Sequence, residues 1–147
     1  MRIGLDTNIL VYAEGVNGEA MARISRATLA ALPAEGVVLP AQVLGELFAV
    51  LTRKAGRTAR QARDAVMQWR DSYASVETSS AVLLAAIDLA ADHHFAIWDA
   101  VIMAAVAEAD CRLLLSEDLQ DGFSWRGVTV VNPFAEQRHP LLAALIG

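Results

Sequence analysis

The sequence predicts an α/β fold of three layers, a mainly parallel central sheet between two sheets of helices, on three observations. Short apolar runs alternate along the chain with segments of helical period, and that alternation requires right-handed crossovers and parallel strands. Several runs stop abruptly at polar residues: Leu5 gives way to Asp6-Thr7-Asn8, Leu115 to Ser116-Glu117-Asp118, and Val131 to Asn132-Pro133. The 147 residues are 55% hydrophobic, enough to cover both faces of a sheet in one compact domain.

Taken in order, residues 2–5 predict the first strand and 8–13 the helical turns after it, with a turn at Gly15-Val16-Asn17-Gly18. Residues 20–32 are Ala-rich with apolar positions at helical spacing, and Pro33 ends them. Val37-Val38-Leu39 is a short strand closed by Pro40. Residues 41–51 follow as a helix with Leu44, Leu47, Phe48 and Leu51 on one stripe and Glu46 as its only charge. Thr58 reads as the N-cap of a helix that includes Arg60, Arg63 and Trp69. Ser75-Val76-Glu77 is a weak strand. Ser79 or Ser80 caps a helix over 81–93, and 100–109, apolar on nearly every face, predicts a helix buried all round. Residues 112–115 and 128–131 are the remaining strands. Residues 1–133 form the domain, and the tail 134–147, with an apolar stretch over 141–146, belongs to it.

Apolar runs at 81–91 and 100–107 are interrupted by Asp88, Asp92, Asp99 and Glu108, so none reaches the roughly 18 uninterrupted residues of a membrane helix. The N-terminus enters a strand directly, without a basic and then apolar leader, which predicts a soluble cytoplasmic protein with no membrane partner. Cys111 is the only cysteine, which excludes an internal disulfide and a multi-cysteine zinc site; beside Leu113-Leu114-Leu115 it reads as a small core residue.

The net charge of −5 is unevenly spread. Arg53, Lys54, Arg57, Arg60, Arg63 and Arg70 are opposed in their stretch only by Asp64, whereas from Asp71 to Asp121 nearly every charge is acidic. This asymmetry fits a basic ledge for a polyanion beside an acidic pocket for cations; a solvated basic helix fits the composition equally.

Four acids occupy unusual settings. Asp6 ends the first strand, Glu46 interrupts an apolar helix, Asp99 opens another, and Asp118 follows the last but one strand. Singly, Asp6 and Asp118 also read as caps or turn residues, and Asp99 as the cap of a helix over 100–109. Glu46 resists such a reading, because its neighbours leave it little solvated company and an unpaired buried carboxylate is costly. Together at one sheet edge, their mutual repulsion demands cations, and an all-oxygen site prefers Mg²⁺ or Mn²⁺ to zinc. Such a pocket suits phosphoryl chemistry, since the metal polarises phosphate and lowers the pKa of water. Thr7, Asn8 and Ser116 adjoin the acids and read either as groups orienting them or as local turn and cap bonds.

On these residues the chain resembles the PIN-domain family, specifically the VapC-type toxins of bacterial toxin–antitoxin pairs. The matching stretches are Gly4-Leu5-Asp6-Thr7-Asn8-Ile9-Leu10, Glu46 within Gln42-Val43-Leu44-Gly45-Glu46-Leu47, Trp98-Asp99-Ala100, and Leu114-Leu115-Ser116-Glu117-Asp118-Leu119. Each alone is weak; four in order across the domain are specific. The resemblance implies Mg²⁺- or Mn²⁺-dependent cleavage of RNA by Asp6, Glu46, Asp99 and Asp118 as catalytic and metal-binding residues, with dimerisation and inhibition by a small antitoxin protein. Ser116 stands where the family often has threonine. Asp121 is the alternative or supporting neighbour of Asp118. Arg53, Lys54, Arg57, Arg60 and Arg63 are the candidates for tracking RNA phosphates. Phe123, Trp125 and Trp98 are candidates for stacking a base, with Trp98 favoured as core.

Rival aspartate chemistries fit poorly. A receiver domain needs a lysine after a late strand, yet Lys54 is the only lysine; a haloacid-dehalogenase-type site needs Asp-x-Asp, and Asn8 stands two past Asp6. There is no Gly-x-Ser-x-Gly elbow for a serine hydrolase. His93 and His94 sit at a predicted helix end, where a solvated role fits. The alternative of another class is a catalytically silent PIN-like module that binds nucleic acid or protein.

Overall fold

The apolar run that ends at Asp6 forms β1 (Ile3–Leu5), and every one of its residues is buried. The computed structural model describes residues 1–146. After β1 come α1 (Thr7–Ala13), α2 (Glu19–Ala31), a 3₁₀ turn at Ala34–Gly36, β2 (Val37–Pro40), α3 (Ala41–Arg53), α4 (Ala59–Ser72) and β3 (Ala74–Val76). The second half contains α5 (Ser80–His93), α6 (Ile97–Glu108), β4 (Leu113–Leu115), β5 (Ser124–Trp125), β6 (Val128–Val131) and α7 (Pro140–Ile146).

The strands make one sheet in the order β3-β2-β1-β4-β6-β5. All neighbours are parallel except β5, which pairs antiparallel with β6. Helices cover both faces, and the architecture is the expected three-layer α/β/α. β1 and β4 are central and in register, Leu5 opposite Leu115, so Asp6 and Ser116 leave the sheet side by side. Ligands of open α/β sheets bind at this carboxyl edge.

The helices follow their end signals. Thr58 and Gln61 form a reciprocal capping box on α4, and the Ser79 hydroxyl accepts the Val82 N–H at 3.1 Å. Ala100 to Val106 of α6 are all buried, as the apolar run predicts. A Cβ on Gly4 would lie 2.3 Å from Val106 Cγ1, so glycine is what lets α6 approach β1.

Three expectations are corrected. α6 starts at Ile97, with Ala96 as its N-cap, so Asp99 sits inside the first turn and caps nothing. The earlier start also turns Trp98 outward, 58% exposed rather than in the core. β5 was not foreseen: it is two residues long and is joined to β6 through Arg126 and Gly127, both at positive φ. The apolar stretch of the tail forms α7, which buries Leu142. No described helix is long and apolar enough to cross a membrane, and Cys111 is a buried thiol that desolvation pushes up to about 12.

Candidate active site

Asp6 is 5% exposed, and every one of its polar contacts comes from the carboxyl edge of the sheet. Its backbone N–H donates to the Leu115 carbonyl at 2.9 Å, extending the β1–β4 ladder by one residue. Oδ1 accepts the Thr7 N–H at 2.7 Å, so Asp6 is the N-cap of α1. Oδ2 accepts the Ser116 hydroxyl at 2.7 Å and, more distantly, the Asn8 amide at 3.5 Å. Cap and cluster member are therefore one role: the cap bond takes one oxygen and turns the other toward β4.

The neighbouring acids are tied to the same turn. Thr7 donates its hydroxyl to Glu46 Oε1 at 2.6 Å, joining α1 to α3, and the Asn8 amide donates to Asp118 Oδ2 at 3.1 Å. Asn8 also accepts the Glu117 N–H through its side-chain oxygen, and Ser116 Oγ accepts the N–H groups of Asp118 and Leu119. Thus Thr7, Asn8 and Ser116 each hold a carboxylate rather than serving only their own turns.

Charge links Asp6 to Asp99 and Asp118, and Asp99 to Glu46 and Asp118. Burial raises the Asp6 carboxyl to about 6, against the hydrogen bonds from Ser116 and Thr7, and Asp99 and Asp118 push it the same way as burial. Asp99 is also raised, by desolvation and then by Glu46 and Asp118. Asp99 makes no hydrogen bond among the described residues, which leaves a half-buried carboxylate facing other carboxylates. Groups raised by each other's charge are relieved by a cation. Among the described residues no three acidic, histidine or cysteine side chains sit closely enough to hold an ion in this arrangement, so gripping one requires the acids to swing inward.

Asp121 is not part of this network. It is exposed, and its Oδ1 accepts the Asn132 N–H at 2.9 Å, closing the end of β6. Glu117 accepts the Tyr12 hydroxyl; desolvation and then this bond raise the Tyr12 phenol to about 12. Gln42 on α3 donates to the Trp98 carbonyl at 2.9 Å and pins the start of α6 beside α3. Periodicity marks Gln42 only as an exposed first-turn residue, and nothing in the sequence singles it out.

The basic stretch divides. Arg57 donates to Glu14 Oε1 at 2.6 Å and to the Glu14 carbonyl at 2.9 Å, while Trp69 Nε1 donates to Glu14 Oε2. Arg57 is a strut between α1 and α4 rather than part of an open ledge. Arg63 lies against Asp64 at 3.2 Å. Arg53, Lys54 and Arg60 are exposed without ion pairs among the described residues. Phe123 packs on Phe95 and His93, and the Trp125 ring lies under the Arg126 guanidinium, so neither presents a free face like that of Trp98.

The fold is similar to that of several solved proteins. The Mycobacterium tuberculosis toxin VapC20, described as cleaving the sarcin-ricin loop, shares 20% identity at a TM-score of 0.65 over 76% of this chain and 86% of its own. A toxin–antitoxin complex from Klebsiella pneumoniae shares 19% at 0.68, over 91% of this chain and 98% of that one. VapBC2 from Rickettsia felis, bound to promoter DNA, shares 15% at 0.66, covering 90% and 98%. None of the curated proteins matches the chain. The family model described as the PIN domain matches residues 3–123, which span β1 through β4 and all four acids, and the chain belongs to the PIN-domain family.

Proposed function

We propose that this protein is a divalent-metal-dependent endoribonuclease that hydrolyses RNA phosphodiester bonds, the VapC-type toxin of a toxin–antitoxin pair. The observation behind this reading is that β1, α3, α6 and β4 each bring one carboxylate, Asp6, Glu46, Asp99 and Asp118, to one sheet edge, where the charges of Asp99 and Asp118 act on Asp6 and those of Glu46 and Asp118 act on Asp99. A structural role for four like charges at one edge would cost stability and return nothing.

The donor set fits Mg²⁺ or Mn²⁺. It is all oxygen and hard, and it contains no thiolate or imidazole. Asp6, Asp99 and Asp118 would hold the ion, with Glu46 completing the set, and the ion would polarise the scissile phosphate and supply a water of lowered pKa. The chain's own groups do the positioning. Ser116 and the Thr7 N–H fix both Asp6 oxygens, the Thr7 hydroxyl fixes Glu46, and the Asn8 amide fixes Asp118. These bonds set the positions from which the acids swing inward onto an ion, and such supporting bonds typically change metal affinity or activity by about 10–100-fold.

The partner reading follows from the company the fold keeps. The Klebsiella protein is a toxin–antitoxin complex, and the Rickettsia protein is VapBC2 on its promoter DNA. This chain covers nearly all of both, which supports a small antitoxin as its own partner. Leu84 and Ile87 on α5 and Trp98 on α6 are exposed apolar side chains, which favours a homodimer. A cytoplasmic site of action belongs to the same reading, since that is where a toxin of this kind would meet its RNA. Burial of Leu142 supports reading 134–147 as part of the same domain as 1–133.

The test is incubation of purified protein with total RNA and Mg²⁺ or Mn²⁺, with cut ends mapped and Asp99→Asn as control. Metal-dependent cuts that the variant fails to make are expected. Equal cleavage by both proteins would sink the mechanism, and no cleavage together with no metal-induced rise in Tm would favour a silent binding module.

A further inference from the structure

We propose that the cleft leading from Asp118 past Asn8 to Lys54 is a nucleotide subsite for single-stranded RNA, in which Lys54 positions a phosphate neighbouring the one cleaved. The proposal rests on the ribonuclease reading and names where the substrate chain leaves the acidic edge.

The cleft is a cavity of about 200 Å³. Its lining includes the buried Asn8 and Val11, the half-buried Val16 and Val50, and at its open margins the exposed Asp118 and Lys54. A second cavity of about 470 Å³ continues outward and shares Val16, Asn17 and Lys54 with the first. Lys54 therefore stands where two connected cavities meet, one of them touching the acid cluster.

The lining matches a nucleotide in two respects. Val11, Val16 and Val50 give the face of a base apolar surface to pack against. The single cation at the mouth suits a phosphate. RNA approaching four carboxylates meets repulsion, and Lys54 is the only cationic side chain lining the inner cavity. Arg57, its neighbour in the outer cavity, is already satisfied by Glu14, whereas Lys54 makes no ion pair among the described residues. A compact ammonium on a flexible stem places a point charge on one phosphate without the fixed fork of an arginine. The base must leave its stack to enter so small a cleft, which selects single-stranded or loop RNA over duplex.

The experiment compares wild type, Lys54→Gln, Lys54→Arg and Arg23→Gln. Steady-state cleavage of a short single-stranded RNA oligonucleotide with Mn²⁺ is one arm. The other is equilibrium binding of the same oligonucleotide as a function of salt, each cation variant being combined with Asp99→Asn so that nothing is cut. Loss of one charge-assisted contact predicts a KM about 10-fold higher for Lys54→Gln with kcat nearly unchanged. The salt slope of binding should fall by about 0.7, the value for one phosphate on a single strand. Lys54→Arg should recover most of the loss, and Arg23→Gln, an exposed cation on α2 outside the cleft, should show little. Val50→Phe, which narrows the cleft, should shift the pattern of cut sites. Unchanged KM and binding in Lys54→Gln, or an equal loss in Arg23→Gln, would overturn the subsite. Absence of cleavage in wild type, with binding still lost in Lys54→Gln, would keep the subsite and remove the ribonuclease reading, so the two failures are distinguishable.

Discussion

The Ser116 hydroxyl donates to Asp6 Oδ2 at 2.7 Å, bridging the carboxyl ends of two adjacent strands whose residues lie 110 apart in the chain. Because the same Ser116 oxygen accepts the N–H groups of Asp118 and Leu119, one buried hydroxyl sets both Asp6 and the turn that presents Asp118. Ser116→Ala removes a bond that favours the charged form of Asp6, so the Asp6 carboxyl should rise further and compete less well for a cation at neutral pH. Metal-induced stabilisation, read as the shift in Tm against Mn²⁺ concentration, should need about 10–100-fold more metal. An unchanged midpoint would show that Ser116 only closes its turn.

The Asp6 carboxyl makes the metal-free protein pH-dependent in a direction opposite to that of a salt-bridged acid. Its value in the fold is about 6, above the ordinary 3.8, chiefly because of burial. Between those values the folded chain holds the proton that the unfolded chain releases, so stability rises as pH falls through 6 and is complete below the unfolded value. The penalty at neutral pH is on the order of 3 kcal/mol, from two pKa units. Metal-free protein should gain stability from this group between about pH 6 and about pH 4, and Asp6→Asn should be more stable at neutral pH and flatter across that range. Added Mn²⁺ should reverse the trend, since it binds the ionised form. Superimposable pH profiles for wild type and Asp6→Asn, from thermal melts, would contradict this account.

Gly4 tests whether the stretch before Asp6 serves packing as well as chemistry. An added Cβ would meet Val106 Cγ1 at 2.3 Å and Val106 Cβ at 2.9 Å, both at the end of the buried stretch Ala100 to Val106 of α6. Such overpacking typically costs about 1–3 kcal/mol. Gly4→Ala should lower Tm by several degrees, and Gly4→Ala with Val106→Ala should lose less than the sum of the two single changes in a double-mutant cycle. Additive losses would mean that β1 and α6 part without consequence.

What the sequence made legible was local. An apolar run ending at Asp6 or at Ser116-Glu117-Asp118 announces a strand end, and Glu46 stands out because nothing near it in the chain can neutralise it. The partners of these acids were less legible, because they depend on tertiary contacts. Thr7 reaches Glu46 only when α1 lies over α3, 39 residues on, and Arg57 finds Glu14 across 43 residues, so one predicted ledge residue is a strut. Trp98 was misread through phase. Its helix begins at Ile97 rather than Ala100, and an aromatic at the second helical position turns to solvent although the run that follows is buried. The β5 strand is too short for alternation to register.

The sequence favours Asp118 over its neighbour Asp121 as the fourth acid, and their surroundings differ in the same sense. Asp118 is tied through Asn8 to the turn that also holds Asp6, and its charge raises both Asp6 and Asp99. Asp121 spends its carboxylate on the Asn132 N–H. Asp118→Asn should therefore abolish metal-dependent RNA cleavage and leave the metal-free fold as stable or more so, because it removes a like charge from a crowded edge. Asp121→Ala should do the reverse: cleavage at wild-type level, and about 1 kcal/mol less stability from the lost hydrogen bond. Both are read from urea denaturation alongside cleavage rates. Loss of cleavage in Asp121→Ala at unchanged stability would move the fourth ligand to Asp121, and with it the end of the site from the start of the loop after β4 to its middle.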